Sequence, residues 1–297
     1  MKLSFCNLIK PATTSWSPRR HRPQLHDDDG HLPPPPPTEE KETRDWAELP
    51  RDVLLAVFRR LYHADDVLTD VEHVCRPWRR AAREDAELWR RVDLRGRALT
   101  LPVAALNAMA YAAARRGARL CEAFWVEGVR SNSSISFLSN AAPALKSLRL
   151  IFCTIPTKAL NAAIRKLPML EELELSLYSG AASNLGLSNL AETCAAAAES
   201  CPLLTRLRLS RYRFDWQCGI GDGEAMEIAG MRGLRSLQLF ANSLGNAGLA
   251  AILDGCTGLE SLDIRDCFNV KMNDEMRSKC ARLQVLRVPS DSNHEIW

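Results

Sequence analysis

The chain has 297 residues, of which 46% are hydrophobic and 25% charged, and its formal net charge is +3 at pH 7. This length indicates about two domains of ordinary globular composition. Because positive and negative charges nearly balance, the composition gives no support to a nucleic-acid-binding or membrane-surface protein.

Residues 1–43 are predicted to form a disordered, proline-rich tail. Five consecutive prolines at 33–37 favour polyproline II, and the surrounding residues offer too little apolar surface to offset the entropy of ordering. We interpret the tail as a spacer. The alternatives are a docking site for a proline-recognising domain and an organellar targeting segment, since residues 1–26 contain basic residues, serine and threonine but no acid.

The stretch from Leu49 to Trp89 predicts three short helices. Pro50 opens the first helix, and its apolar residues recur at helical spacing as Val53, Leu54, Val57, Phe58 and Leu61. A segment of about forty residues forms only a small core by itself, and its apolar residues exceed what three such helices can bury among themselves. This apolar surplus predicts a partner surface, either in the same chain or in another protein.

The order and spacing of residues between Trp46 and Val92 also carry a family signature. In sequence it runs Leu49-Pro50, Asp52, Leu54, Val57-Phe58, Leu61, Asp66-Val67-Leu68, Val74-Cys75-Arg76, Trp78-Arg79 and Leu88-Trp89. This pattern resembles the F-box, and we assign residues 44–95 to it. The stretch from Asp66 to Trp78 is one residue longer than is usual in that family.

The resemblance implies two partners, the Skp adaptor and, through it, the cullin of an SCF-type ubiquitin ligase. By family analogy the candidate adaptor contacts are Leu49, Pro50, Leu54, Val57, Leu68, Val74 and Trp78. The alternative is an internal helical cap on the following domain. Acidic and basic residues are equal in number between Arg44 and Arg95, eleven each, so the arginines here predict a solvated helix face and no nucleic-acid site.

The run at 98–114 has no charged residue in seventeen positions. A bilayer-spanning helix needs about 20 predominantly apolar residues, and this run includes Pro102 and Asn107. We therefore predict a helix of a soluble domain there and no membrane partner.

Residues 96–297 are assigned to a repeat domain. Six clear units begin at 145, 170, 204, 234, 259 and 283, which are 25, 34, 30, 25 and 24 residues apart. Each has apolar residues at positions one, four and six, and three units carry Cys153, Asn242 or Cys267 at position nine. Two degenerate units, from Trp89 and Cys121, precede them. This is the leucine-rich repeat pattern, and the whole chain resembles short plant-type F-box proteins with such repeats.

The predicted fold class is therefore α/β, a three-helix F-box followed by a leucine-rich-repeat solenoid. Short parallel strands form the concave face and helices form the convex face. Position nine is expected to satisfy backbone groups at the strand-to-helix corner. Since no helix follows the last strand, Ile296 and Trp297 are expected to cover the end of the final repeat.

The ten cysteines are scattered singly, and the sequence contains no C-x-x-C pair. This usage predicts reduced, mostly buried thiols in a protein of the cytoplasm or nucleus, with no metal site and no cofactor.

Positions three, five and seven of each unit are predicted to face the concave side. At position five, Arg149, Glu174 and Arg208 alternate in sign on successive strands, which predicts cross-strand ion pairs. Trp125 and Phe240 are aromatic residues on an otherwise polar surface and are candidate binding anchors, although Trp125 could instead pack under an edge loop. These five residues form the predicted target-binding set.

The functional prediction is a substrate-recognition subunit of an SCF-type ubiquitin ligase, with the F-box on the adaptor and the repeats on a target protein that the sequence does not identify. The alternative is a non-ligase scaffold whose F-box serves only as a tether. No acid–base or nucleophile constellation can be assembled from the sequence, so we predict that the chain is not an enzyme.

Overall fold

The structure is a computed structural model that describes residues 45–60, 66–177, 190–211, 214–216 and 219–291. Within these residues a small helical module precedes a sheet of eight parallel strands backed by helices, which confirms the predicted fold class. The predictions for the tail at 1–43 and for Ile296 and Trp297 lie outside the described residues.

The helical module comprises α1 (Arg51–Phe58), a π-helical turn (Val67–Val71), α2 (Glu72–Val74) and α3 (Arg76–Glu84). The π-helical turn continues directly into α2, and the two count as one segment. The module therefore has the three helical segments that the sequence predicted.

The π-helical turn explains the extra residue between Asp66 and Trp78. In this turn the backbone N–H of Glu72 bonds to the carbonyl of Val67, five residues back instead of four. A turn of this kind holds one more residue than an α-helical turn, and Val67 and Val71 are both buried within it. The longer segment thus keeps its apolar residues in the core.

The eight strands pair in parallel with their neighbours in strict chain order. They are β1 (Arg91–Leu94), β2 (Ala123–Glu127), β3 (Ser147–Ile151), β4 (Glu172–Leu177), β5 (Arg206–Arg211), β6 (Ser236–Phe240), β7 (Ser261–Asp263) and β8 (Val285–Arg287). Both degenerate units belong to the sheet, as β1 and β2. The sheet begins at Arg91, inside the range 44–95 that we assigned to the F-box.

Helices connect the strands on one side of the sheet. They are α4 (Val103–Gly117), α5 (Ser133–Ala141), α6 (Thr157–Ile164), α7 (Ala191–Ser200), α8 (Gly223–Ala229), α9 (Asn246–Gly255) and α10 (Asp274–Cys280). Strand residues at positions four and six, such as Leu148 and Leu150, share one apolar core with helix residues such as Leu160 and Ile164. Of the helices in the described ranges, none combines the length and the hydropathy that a bilayer crossing requires.

A sharp backbone corner follows most strands, at position eight of the unit. This position is in the left-handed region at Phe152 (φ 50°), Ala241 (φ 53°) and Asp266 (φ 60°), and glycines occupy it in the first two units as Gly96 and Gly128. Left-handed backbone is unfavourable for residues with a β-carbon, so the surrounding contacts must hold it in place.

Position nine supplies part of that support, as predicted. The Cys153 thiol donates to the carbonyl of Val126 at 3.8 Å, and the Cys267 thiol donates to the carbonyl of Leu239 at 2.7 Å. Asn242 accepts a hydrogen bond from the backbone N–H of Leu244 at 2.9 Å through its side-chain oxygen. The side chain at position nine therefore satisfies backbone groups at the corner.

Burial makes most of the described cysteines poor nucleophiles. It raises the pKa of Cys121, Cys153 and Cys267 to about 12. It raises the pKa of Cys201 and Cys256 to about 11. Because the thiolate is the reactive form, these five side chains are structural in the folded protein.

We expect these five thiols to stay unmodified when the folded protein is treated with iodoacetamide near neutral pH, whereas the half-exposed Cys75 is alkylated. Peptide mass mapping measures the modification at each cysteine, and the same treatment in concentrated urea is the control in which all should react. Labelling of the five thiols in the folded protein at the rate of Cys75 would contradict the buried assignment.

The helical module and the repeats share one apolar core at Trp89. This side chain is fully buried, its indole N–H donates to the carbonyl of Ala82 at 3.0 Å, and the guanidinium of Arg116 lies 4.8 Å from its ring centroid. Arg116 also forms an ion pair with the buried Glu72, which Arg83 contacts at 3.1 Å. A single residue separates Trp89 from β1, so the module joins the sheet without a linker.

Candidate functional site

The seven residues predicted to contact an adaptor fall into two groups. Leu54 and Trp78 are only 2% and 6% exposed, and the indole N–H of Trp78 donates to the carbonyl of Trp46 at 2.9 Å. These two residues therefore support the module from within, and their role as adaptor contacts stays a prediction. The other five are exposed or half-buried: Leu49, Pro50, Val57, Leu68 and Val74.

The apolar surplus predicted from the sequence is present on the surface of α1. Leu54 and Phe58 face the core, with the Phe58 ring edge-on to that of Trp78 at 5.5 Å. Val53 and Val57, one helical turn apart, are 41% and 37% exposed. The apolar stripe of α1 thus extends beyond the side that faces the core. Its outer part, Val53 and Val57, is available to a partner.

The open face of the sheet, the side turned away from the helices, carries a network of ion pairs. Arg149 lies 2.7 Å from Glu172 and 3.6 Å from Glu174, and Arg208 lies 3.1 Å from Glu174. The predicted pairing of Arg149, Glu174 and Arg208 across successive strands is therefore confirmed. Arg208 also donates through Nε to the side-chain oxygen of Gln238 at 2.5 Å.

The Glu172 carboxylate of this network is held in its anionic form. Burial alone raises the pKa of Glu172, but hydrogen bonds from Ser147 at 2.6 Å and Arg149 at 2.7 Å outweigh burial and bring the pKa below its ordinary value. A shallow depression of about 250 Å³ opens among these side chains and those of β6. Within the described ranges, no group of three or more His, Cys, Asp or Glu residues is arranged to hold a metal ion.

Trp125 lies on the open face among three arginines. The guanidinium carbons of Arg91, Arg95 and Arg149 are 5.4, 4.8 and 4.4 Å from its ring centroid, and its indole N–H donates to the Ser147 hydroxyl at 2.8 Å. Cations at this distance from an indole are attracted to its π-face. Trp125 therefore holds three arginines at β1 to β3 close to its ring. Its role as a target anchor stays a prediction.

Phe240 does not present its ring to solvent, contrary to our expectation. It is 5% exposed and belongs to a small buried cluster with Phe214 and Ala241, and the guanidinium of Arg265 lies 6.0 Å from its ring centroid. Phe214 belongs to the loop after β5, in the unit that is 30 residues long. Phe214 of the longer unit is thus buried together with residues of β6 and the corner that follows it.

Phe214, Trp216 and Phe268 form an aromatic ledge that was not predicted from the sequence. Trp216 stacks on Phe268 with a centroid distance of 5.2 Å and an interplanar angle of 13°. Phe214 meets both rings edge-on, at 4.9 and 5.3 Å. Trp216 is 75% exposed and Phe268 is 44% exposed. The sequence signal for this ledge was the aromatic-rich segment "RYRFDW" at 211–216, in the unit of 30 residues that begins at 204.

Polar contacts connect described residues on either side of the ledge with the neighbouring units. The backbone N–H of Gly221 and the side-chain amide of Asn269 both donate to the carbonyl of Ser243, at 2.9 and 3.0 Å. The buried carboxylate of Glu224 accepts from Arg211 at 2.8 Å and from Asn242 at 2.6 Å. Because Phe214 and Trp216 follow β5 and Phe268 follows β7, the ledge lies at the carboxyl-end edge of the sheet.

Comparisons with known proteins agree with this architecture. Residues 46–95 match a family model described as F-box-like. Three relatives come from Arabidopsis thaliana. F-box/LRR-repeat protein 23 is 35% identical over 88% of this chain and 57% of its own length. F-box/LRR-repeat protein 22 is 34% identical over 85% of this chain and 79% of its own length. F-box protein SKIP19 is 34% identical over 86% of this chain and 80% of its own length. The chain thus spans little more than half of the first relative.

Proposed function

The chain belongs to the F-box proteins with leucine-rich repeats, and from this premise we propose that it is the substrate-recognition subunit of an SCF-type ubiquitin ligase. In this role the helical module binds the Skp adaptor and, through it, a cullin, and the repeats bind the protein to be modified. The chain supplies no catalytic group and contributes by positioning. Its place of action is the cytoplasm or nucleus.

The observation that carries this proposal is the exposed apolar half of α1 within the F-box-like region. Val53 and Val57 stand out from a module that has already filled its own core with Leu54, Phe58 and Trp78. Further support comes from the junction at Trp89, because a receptor without a flexible linker holds its target in a defined position relative to the adaptor.

We expect the substitution Val57→Glu to weaken binding to a purified Skp adaptor at least tenfold, which corresponds to about 1.4 kcal/mol. The reason is that it places a charge in an apolar interface without disturbing the core. Titration calorimetry measures the affinity, and urea unfolding should give an unchanged midpoint. The matched control is Met169→Glu on the repeats, where the side chain is 42% exposed. Equal adaptor binding by wild type and Val57→Glu would remove α1 from the interface.

The alternative, a non-ligase scaffold, predicts a different composition of the purified complex. A ligase receptor is expected to copurify with both adaptor and cullin and to support ubiquitin transfer to a bound target. Recovery of the adaptor without cullin would favour the scaffold.

A further inference from the structure

On the open face the arginine heads lie outside and the carboxylates lie beneath them. The side chains of Arg206 and Arg208 are 61% and 48% exposed, whereas those of Glu172 and Glu174, with which they pair, are 17% and 6% exposed. A partner that approaches β4 and β5 therefore meets guanidinium groups first, although the charges within the network nearly balance.

The same arrangement recurs at the far end of the sheet. Arg287 on β8 is 56% exposed and lies 3.5 Å from Asp263, which is 11% exposed. A guanidinium carries five N–H donors, and Arg208 directs Nε to Gln238 and Nη1 to Glu174. Each outer arginine thus has the capacity to bind a further carboxylate while it keeps its partners on the sheet.

The aromatic ledge adjoins this arginine layer. Gln238, the hydrogen-bond partner of Arg208, is two residues before Phe240 on β6, a separation of about 7 Å along a strand. Phe214 and Phe240 belong to one buried cluster, and Trp216 and Phe268 pack on Phe214. A bound peptide could therefore touch Arg208 and the ledge at the same time.

The ledge has the character of a binding anchor. A tryptophan that is 75% exposed and stacked on a second ring presents a large, preorganised apolar surface to solvent. Aromatic side chains of this kind bury much area at a low entropic cost and dominate protein interfaces.

We propose that this surface binds an acidic segment of the target protein, whose carboxylates pair with Arg206 and Arg208 and whose large apolar side chain packs on Trp216 and Phe268. The inference rests on the proposed role as a target-binding subunit and names the chemistry of the target. A protein segment fits better than a nucleic acid, because Arg206 and Arg208 are each already paired with a glutamate and so do not form a row of unpaired cations for a phosphate backbone. The exposed ring of Trp216, stacked on Phe268, suits a large apolar side chain of a peptide.

The test is a selection of peptides on the full chain in complex with purified adaptor. The probe is a random display library of peptides of about twelve residues, and the enriched peptides are then synthesised and titrated by fluorescence anisotropy. We expect them to combine several acidic residues with one large apolar residue. The double substitution Arg206→Ser with Arg208→Ser, and separately Trp216→Ala, should each weaken binding at least tenfold.

Two matched controls should bind as the wild type does. Arg165→Ser removes an arginine that is 49% exposed and pairs with Glu199 between α6 and α7, on the helix side of the sheet. Leu203→Ala removes an apolar side chain that is 44% exposed in the turn before β5. Unchanged urea midpoints in all variants establish that the fold is intact.

Four results would overturn the proposal: no enriched peptide, enrichment of neutral or basic peptides, equal binding by the two test variants and the wild type, or displacement of the peptide by single-stranded RNA at a lower concentration than by polyglutamate. Adaptor affinity measured on the same preparations separates this proposal from the ligase role. Loss of adaptor binding with retained peptide binding would overturn only the ligase role.

Discussion

Replacing Trp89 by alanine is expected to lower the free energy of unfolding by about 3–5 kcal/mol, a large part of the about 5–15 kcal/mol that holds a typical domain together. The side chain is fully buried between α3 and α4 and makes both the hydrogen bond to Ala82 and the contact with Arg116. Alanine leaves a cavity at the junction of module and repeats, and the fixed helices can collapse into it only in part. Urea unfolding measures the change.

The loss should appear in both parts of the chain, because one continuous core runs through them. Hydrogen exchange of amides in α1 and in β2 reports on each part separately. Trp89→Phe is the control: it keeps an aromatic ring but loses the bond to Ala82, so it should cost only about 1 kcal/mol beyond the lost ring area. A destabilised α1 beside an unchanged β2 would show that module and repeats unfold independently.

The register of the sheet could be predicted because a single pattern fixes it. Leucines at positions four and six must both enter the core, and a strand that slipped by one residue would turn them to solvent. Leu148 accordingly pairs with Leu173, and Leu173 pairs with Leu207, although the second pair is separated by 34 residues of sequence. The length of the intervening loop had no influence on the register.

The exposure of individual side chains was harder to predict from the sequence. Leu54 and Val57 belong to the same apolar stripe of α1, and only the packing of α1 on α3, where the Phe58 ring meets that of Trp78, decides that Leu54 faces inward. Likewise, nothing near Phe240 in the sequence indicates that it shares a buried cluster with Phe214, 26 positions earlier. Such contacts depend on how separate elements meet, which a local pattern does not encode.

The spacing between helices on the back of the sheet depends on small residues. Replacing one of them is the second change for which we expect a large loss of stability. The segment "GLAAILDGC" at 248–256 contains several small residues and forms most of α9. A β-carbon added at Gly255 would lie 2.1 Å from the carbonyl oxygen of Ala229 and 3.1 Å from its Cα. Both contacts are with the backbone of α8, so no side-chain rotation relieves them.

We expect Gly255→Ala to destabilise the protein by about 1–3 kcal/mol or more, because α8 and α9 must separate to admit the methyl group. The change opposes local propensity, since alanine favours a helix over glycine by about 1 kcal/mol. Gly258→Ala is the matched control, because its nearest neighbours would be carbonyl oxygens 3.9 Å away, an ordinary contact. That variant should be neutral or more stable by about 0.4–1 kcal/mol. Equal urea midpoints for the two variants would refute the close approach of α8 and α9, and with it the explanation of why glycine stands at this position.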